Sequence, residues 1–185
     1  NGYRAPWTWR GPTSWCWMSA PGLDIRPTSD KVKGAIFNVL SNKVYDARVL
    51  DLFAGTGNLA LEAISRGARE VVLIERNPVA QRIIRENIEK LRVENTTLLP
   101  MDAFTYLKRL KDEKFDLIFL DPPYNQGLVT RTLKHLAHIC PLTDDGVIVA
   151  ETGINEELNS VHPWEIRKTG EYGDTKIWYL QKILS

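Results

Sequence analysis

The fold of this chain is decided by residues 49–60, VLDLFAGTGNLA. A short apolar run ends at Asp51, two glycines follow, and apolar residues then recur at helical spacing, so the pattern predicts a strand, a tight loop and a helix. Gly55 and Gly57 lack a Cβ and permit backbone conformations and a close ligand approach that other residues block. The helix beginning near Asn58 presents free N–H groups and a positive dipole end to the loop. We therefore expect a nucleotide-type cofactor here.

Strands and helices alternate on either side of this loop. Further strands are predicted at 71–75, 96–99, 115–120 and 146–151, with helices at 28–41, 59–67, 78–91, 103–110 and 128–139. An antiparallel pair, 164–168 and 175–180, is predicted at the end of the chain and joined through Gly170 and Gly173. The alternation indicates an α/β, Rossmann-like fold with a mainly parallel sheet and helices on both faces. Right-handed crossovers then place the carboxyl ends of the parallel strands along one edge.

Residues 1–23 differ in composition from residues 24–185, which we expect to form the main domain. The first segment holds four of the six tryptophans and no acid. Tryptophans spaced two apart predict a hairpin or extension against the domain, although aromatics beside Arg4 and Arg10 also suit stacking on nucleic-acid bases.

Composition and charge narrow the class of protein. The chain has a net charge of +1 and no apolar run near the roughly 20 residues that span a membrane. Cys16 and Cys140 are isolated, so they predict neither a metal site nor a disulfide framework and suit a reducing cytoplasm.

The acids near the glycine loop distinguish between cofactors. The spacing Gly55-x-Gly57-x-x-Ala60 satisfies the dinucleotide pattern, and Glu75, which ends the second strand, suits ribose hydroxyls. The Asp51 carboxylate would repel a pyrophosphate and attract a cation. This charge favours S-adenosylmethionine, which carries a sulfonium and an ammonium group. Asp102 follows the third strand and either contacts adenine, with the Ala103 N–H beside it, or caps the next helix. The predicted cofactor-binding residues are Asp51, Ala54, Gly55, Thr56, Gly57, Glu75, Asp102 and Ala103.

The second chemical motif is Asp121-Pro122-Pro123-Tyr124, which follows the fourth strand. Prolines stiffen the loop and carry no N–H, so the loop offers acceptors: the Asp121 carboxylate and the Pro122 carbonyl. Two convergent acceptors suit an exocyclic amine, and Tyr124 offers a ring face to a planar base. We expect Asp121, Pro122 and Tyr124 to be catalytic and Pro123 and Tyr124 to contact substrate.

The pairing of DLFAGTG with DPPY resembles the class I S-adenosylmethionine-dependent methyltransferases that modify exocyclic amines. The preceding LDIRPTSDKVK, residues 23–33, resembles the bacterial family that methylates the N2 amine of a guanine in 16S ribosomal RNA. The resemblance covers about residues 20–185. It implies a seven-stranded sheet and a small-subunit rRNA substrate, within the 30S subunit or an assembly intermediate. It also implies that Arg26, Pro27 and Thr28 lie near the methionine end of the cofactor and the target base.

The sequence departs from this family in residues 1–20. The family has a basic hairpin there that helps to bind RNA, whereas this chain has few basic residues. Three other functions remain open: an adenine-N6 methyltransferase, an NAD-dependent oxidoreductase and a non-catalytic RNA-binding protein. The short chain lacks a separate target-recognition domain, which favours the rRNA family. We expect a cytoplasmic monomer.

Overall fold

The computed structural model describes residues 28–184, in which seven strands form one sheet. The sheet order is β3-β2-β1-β4-β5-β7-β6; β1 to β5 are parallel, and β7 runs antiparallel to β5 and β6. The predicted α/β class, with its antiparallel C-terminal pair, is confirmed. The strands are β1 (Arg48–Asp51), β2 (Glu70–Ile74), β3 (Thr96–Leu99), β4 (Phe115–Leu120), β5 (Leu142–Gly153), β6 (Trp164–Tyr172) and β7 (Thr175–Lys182).

Helices cover both faces of the sheet. They are α1 (Asp30–Leu40), α2 (Asn58–Ser65), α3 (Pro78–Leu91), α4 (Ala103–Arg109) and α5 (Leu128–Ile139), with a short 3₁₀ turn at Ser41–Lys43. One apolar cluster joins α1, α2 and α3 to the sheet, and a second joins α4 and α5 to the opposite face. None of the helices within residues 28–184 is long and apolar enough to cross a membrane.

The C-terminal strands are longer than the apolar pattern predicts. β5 spans Leu142–Gly153 rather than 146–151, and β6 continues to Tyr172. Gly170 was expected in the connection but pairs with Ile177 inside the strand, so only Gly173 and its neighbour turn the chain. Most of β6 is solvent-exposed on this edge of the sheet, and backbone pairing extends it without needing the apolar side chains that mark a buried strand.

The strand order reverses between β1 and β4, which places the loops after these two strands on either side of one crevice. Such a reversal is where open α/β sheets bind their ligands. The glycine loop follows β1 and the DPPY loop follows β4. The predicted hairpin of residues 1–23, together with Arg26 and Pro27, lies outside the described residues.

Candidate active site

A cavity of about 840 Å³ opens at this crevice. An acid at or just after the carboxyl end of each parallel strand lines it: Asp51, Glu75, Asp102, Asp121 and Glu151. Parallel strands end at the same edge, so residues distant in sequence meet there. The predicted site residues that line the cavity are Thr28, Asp51, Ala54, Gly55, Thr56, Glu75, Asp102, Ala103, Asp121, Pro122, Pro123 and Tyr124.

Gly57 is the exception among the described residues predicted to bind cofactor, because it does not line the cavity. It adopts φ +79° as the N-cap of α2, and a Cβ built there lies 3.3 Å from Ile84 Cγ1 and from Leu73 Cδ2. The absent side chain therefore faces the core rather than a ligand. The glycine is needed for a left-handed turn against packed side chains, and the cofactor contact at Gly57 stays a prediction.

Glu75 holds the glycine loop in place. The Gly55 N–H donates to its Oε2 at 2.7 Å, and the Asn77 N–H donates to Oε1 at 2.8 Å. Each carboxylate oxygen accepts two hydrogen bonds, so one position on each oxygen remains for ribose hydroxyls. The acid thus shapes the loop and also suits the predicted contact with ribose.

Asp102 caps α4, one of the two roles that its position in the sequence allows. Its Oδ1 accepts from the N–H groups of Phe104, at 2.9 Å, and Thr105, at 3.1 Å. Asp102 also lines the cavity, so the cap orients its carboxyl toward the predicted adenine position. The Phe104 ring lies under the guanidinium of Arg131, 4.1 Å from the ring centroid, and both residues line the cavity.

Asp51 is almost completely buried, with 1% of its surface exposed. Burial raises the pKa of its carboxyl to about 7; the charge of Glu75 acts in the same direction, and a hydrogen bond from the Phe53 N–H opposes it. A cation bound beside Asp51 would favour the ionised carboxylate, whereas a phosphate would oppose it. This environment supports the predicted preference for a cationic ligand.

The DPPY loop presents Asp121 to the same space. Burial, followed by the charges of Glu151 and Asp51, raises the pKa of Asp121 well above its ordinary value. The Thr28 hydroxyl lies 3.4 Å from Asp121 Oδ2 and 3.3 Å from Glu151 Oε2, so its single proton has an acceptor on each acid, the nearer one on Glu151. Pro122 is buried beside Asp121, and both line the cavity.

Tyr124 is anchored at its hydroxyl. The hydroxyl donates to Glu151 Oε1 at 2.5 Å and lies 2.9 Å from Thr175 Oγ1 on β7. Burial and the bond to Glu151 raise the pKa of the Tyr124 hydroxyl, which keeps it a donor. With its hydroxyl held by β5 and β7, the ring is a fixed platform beside Asp121.

Sequence reasoning missed two residues that organise the site. Glu151 lies two residues before the end of β5 and accepts from both Thr28 and Tyr124. Asn58 binds the Thr28 carbonyl through its side-chain amide at 3.0 Å and accepts from the Lys33 ammonium at 3.1 Å, which ties the N-terminal segment to α2. The signal for Glu151 was present, since every parallel strand ends near an acid; the contacts of Asn58 have no local sequence signature.

Known proteins similar to this chain identify its family. A model of the family described as conserved hypothetical protein 95 matches residues 18–181. The chain belongs to this family. Ribosomal RNA small subunit methyltransferase D of Buchnera aphidicola is 36% identical over 78% of this chain and 76% of its own length, and that of Escherichia coli strain K12 is 34% identical over 77% and 70%. The family resemblance inferred from DLFAGTG and DPPY is confirmed.

Solved structures agree on the fold. A conserved hypothetical protein from Streptococcus pyogenes has a TM-score of 0.77 and 40% identity, covering 82% of this chain and 96% of that chain. The structure of SMU.776 complexed with SAH shares the fold at 17% identity, with a TM-score of 0.65, and covers 78% of this chain and 48% of that chain. The class I methyltransferase architecture is therefore confirmed.

Proposed function

We propose that this chain transfers a methyl group from S-adenosylmethionine to the exocyclic N2 amine of a guanine in 16S ribosomal RNA. The observation that carries the proposal is the meeting, in one cavity, of buried Asp51 with the acceptor loop that begins at Asp121. Asp51 suits the cationic end of a cofactor, and the loop that begins at Asp121 suits an amine. The names of the relatives support methylation of small-subunit rRNA.

The residues of the cavity fit the cofactor by their chemistry. S-adenosylmethionine supplies a methyl group on a positively charged sulfur. Asp51 would face the ammonium end, Glu75 the ribose, and Asp102 with Ala103 the adenine. The cavity volume of about 840 Å³ lies within the range of cofactor sites.

The DPPY loop would act by positioning the amine. The aromatic amine is a poor nucleophile because its lone pair is delocalised into the ring. Hydrogen bonds from its two N–H groups to the Asp121 carboxylate and the Pro122 carbonyl favour a pyramidal nitrogen whose lone pair faces the methyl group. Such orientation is worth roughly 7–11 kcal/mol in favourable cases. Burial raises the pKa of Asp121, so its carboxylate is suited to accept the proton that the amine releases after transfer.

The surface around the cavity suits a polyanion. Three exposed cations, Arg76, Lys108 and Arg131, line the cavity outside its buried acids. Helix α5 also carries Lys134 and His138 and contains no acid. Phosphates attract such a surface, and a flipped base would then reach the acids inside. We extend the proposal to a cytoplasmic monomer acting on the 30S subunit or an assembly intermediate.

Labelled methyl transfer tests the proposal. Small subunits from cells lacking this protein, incubated with it and labelled S-adenosylmethionine, should yield one labelled N2-methylguanine by mass spectrometry of the digested rRNA. Duplex DNA should remain unlabelled. Preferential labelling of DNA, or a labelled N6-methyladenine, would contradict the proposed substrate.

The variant Asp121→Ala tests the role of the acceptor loop. We expect a loss of about 10²-fold or more in the rate of transfer, because the amine loses one of its two acceptors. Asp144→Asn is the matched control, since Asp144 is an exposed acid, paired with Lys182, that does not line the cavity. Transfer by Asp121→Ala at the wild-type rate would refute the mechanism.

A further inference from the structure

Glu151 lies beside Asp121 at the edge of the sheet. Leu120 of β4 pairs in parallel with Ala150 of β5, so the next residue of each strand, Asp121 and Glu151, emerges at the same level. Glu151 is 7% exposed and lines the same cavity. The methyl transfer described above uses Asp121 and gives this second acid no contact with the substrate.

Glu151 has two hydroxyl donors, Tyr124 and Thr28, and a third hydrogen bond that comes directly from Asp121. Tyr124 donates to Oε1 and Thr28 donates to Oε2. Burial raises the pKa of Glu151, whereas the bonds from Tyr124, Thr28 and Asp121 oppose that rise and favour its carboxylate form. A base that brings two donors into the cavity can replace the bond between the two acids, and Asp121 and Glu151, which lie side by side, are then both acceptors.

Two neighbouring acceptors distinguish guanine from adenine. Beside its N2 amine, guanine carries a proton on N1, so its edge offers two adjacent donors. Adenine offers an amine beside an N1 lone pair, which would face a carboxylate. A base lone pair that faces a carboxylate is repelled by it, whereas an N–H is attracted, so a site of this kind selects strongly for the base that supplies both protons.

We propose that Glu151 accepts the N1–H of the target guanine while Asp121 and Pro122 hold its N2 amine, which makes Glu151 a specificity-determining residue. This inference rests on the proposed guanine-N2 activity. It assigns Glu151 a direct contact with the base, in addition to its hold on Tyr124.

Substitution of the target base by 2-aminopurine tests this contact. 2-Aminopurine keeps the amine at position 2 but has a lone pair at N1, and 6-thioguanine, which keeps the N1 proton, controls for the change at position 6. Reconstituted small subunits carrying each base would be methylated at pH 8, and kcat/KM compared. We expect the wild-type protein to prefer guanine over 2-aminopurine by about 100-fold or more and to accept 6-thioguanine.

The variant Glu151→Gln should narrow the preference for guanine over 2-aminopurine to less than about 10-fold, because an amide can donate to an N1 lone pair or accept from an N1 proton. Tyr124→Phe is the matched control. It removes the hydrogen bond between Tyr124 and Glu151 but keeps the carboxylate, so it should slow both substrates while leaving their ratio within about threefold of wild type. Cofactor titration and thermal unfolding check that Glu151→Gln folds and binds S-adenosylmethionine.

The outcomes separate the two proposals. Equal use of guanine and 2-aminopurine by the wild-type protein, or an unchanged ratio in Glu151→Gln, overturns the N1 contact but leaves guanine-N2 methylation standing. If Glu151→Gln and Tyr124→Phe reduce the preference for guanine over 2-aminopurine equally, the N1 contact is also overturned, because Glu151 would then act only through Tyr124. Absence of N2-methylguanine from every wild-type reaction overturns the proposed function and, with it, this inference.

Discussion

Asp51 makes the stability of the cofactor-free protein depend on pH. Its pKa is about 7 in the folded chain against 3.8 for an ordinary carboxyl. Between these values the folded protein holds a proton that the unfolded chain releases, so the free energy of unfolding falls as pH rises from about 4 to 7. We expect Asp51→Asn to flatten that fall by about 1 kcal/mol per pH unit, measured by urea unfolding across this range.

The control for this prediction is Asp144→Asn, which removes an exposed acid and should leave the pH dependence as in wild type. The slope is the readout, so a uniform loss of stability in Asp51→Asn does not confuse the result. The same slope in Asp51→Asn and wild type would contradict the raised pKa of Asp51.

Gly57 is expected to be sensitive to a single methyl group. Gly57→Ala places a Cβ at φ +79° and 3.3 Å from the side chains of Ile84 and Leu73, so we expect a loss of about 1–3 kcal/mol in the free energy of unfolding. Gly127→Ala is the control, because Gly127 has φ +63° and nothing lies within 4 Å of its built Cβ. The same cost at both positions would show that backbone strain alone, and not core packing, requires Gly57.

At the scale of single elements, Trp164 connects the edge strand β6 to the helix α5 by packing and a hydrogen bond. Its indole is 1% exposed, and its Nε1–H donates to the Leu133 carbonyl at 2.9 Å. We expect Trp164→Ala to lower the free energy of unfolding by about 3–5 kcal/mol, measured by denaturant titration. Ile166→Ala is the control on the same strand, since Ile166 is 37% exposed; a loss of similar size there would contradict the role of Trp164.

The elements with strong local signals were predicted closely. The predicted bounds of α3, α5, β3 and β4 match the structure, because Pro78 and apolar periodicity mark them in the sequence. Ser29 caps α1 through a bond from the Val32 N–H. The length of β6 was missed because its neighbour in the sheet, not its own apolar content, extends it.

The candidate site was predicted to a similar degree. Residues next to glycines, prolines and strand ends were found because parallel strands bring their carboxyl ends together. The contacts between Thr28, Asp121 and Glu151 join residues 93 and 123 positions apart, and only the sheet order and register show them. At Gly57 the sequence could not separate a conformational requirement from a ligand contact, because either one requires a glycine; the structure shows the conformational requirement.

At the scale of the whole molecule, cofactor binding should stabilise the fold. S-adenosylmethionine at 100 times its Kd should raise the free energy of unfolding by about 2.7 kcal/mol, seen as a higher Tm. The buried acids at the cavity predict that NADH at the same concentration leaves Tm unchanged, because its pyrophosphate meets Asp51. Stabilisation by NADH alone would support the oxidoreductase function instead.

The position of β7 affects the order in which the site is completed during protein synthesis. β7 follows β5 and β6 in the sequence, yet it lies between them in the sheet and supplies Thr175 to the Tyr124 hydroxyl. A nascent chain emerging from the ribosome therefore exposes its glycine and DPPY loops before the strand that anchors Tyr124. The aromatic platform is therefore completed only after residues 175–182 leave the exit tunnel, although both loops are synthesised well before them.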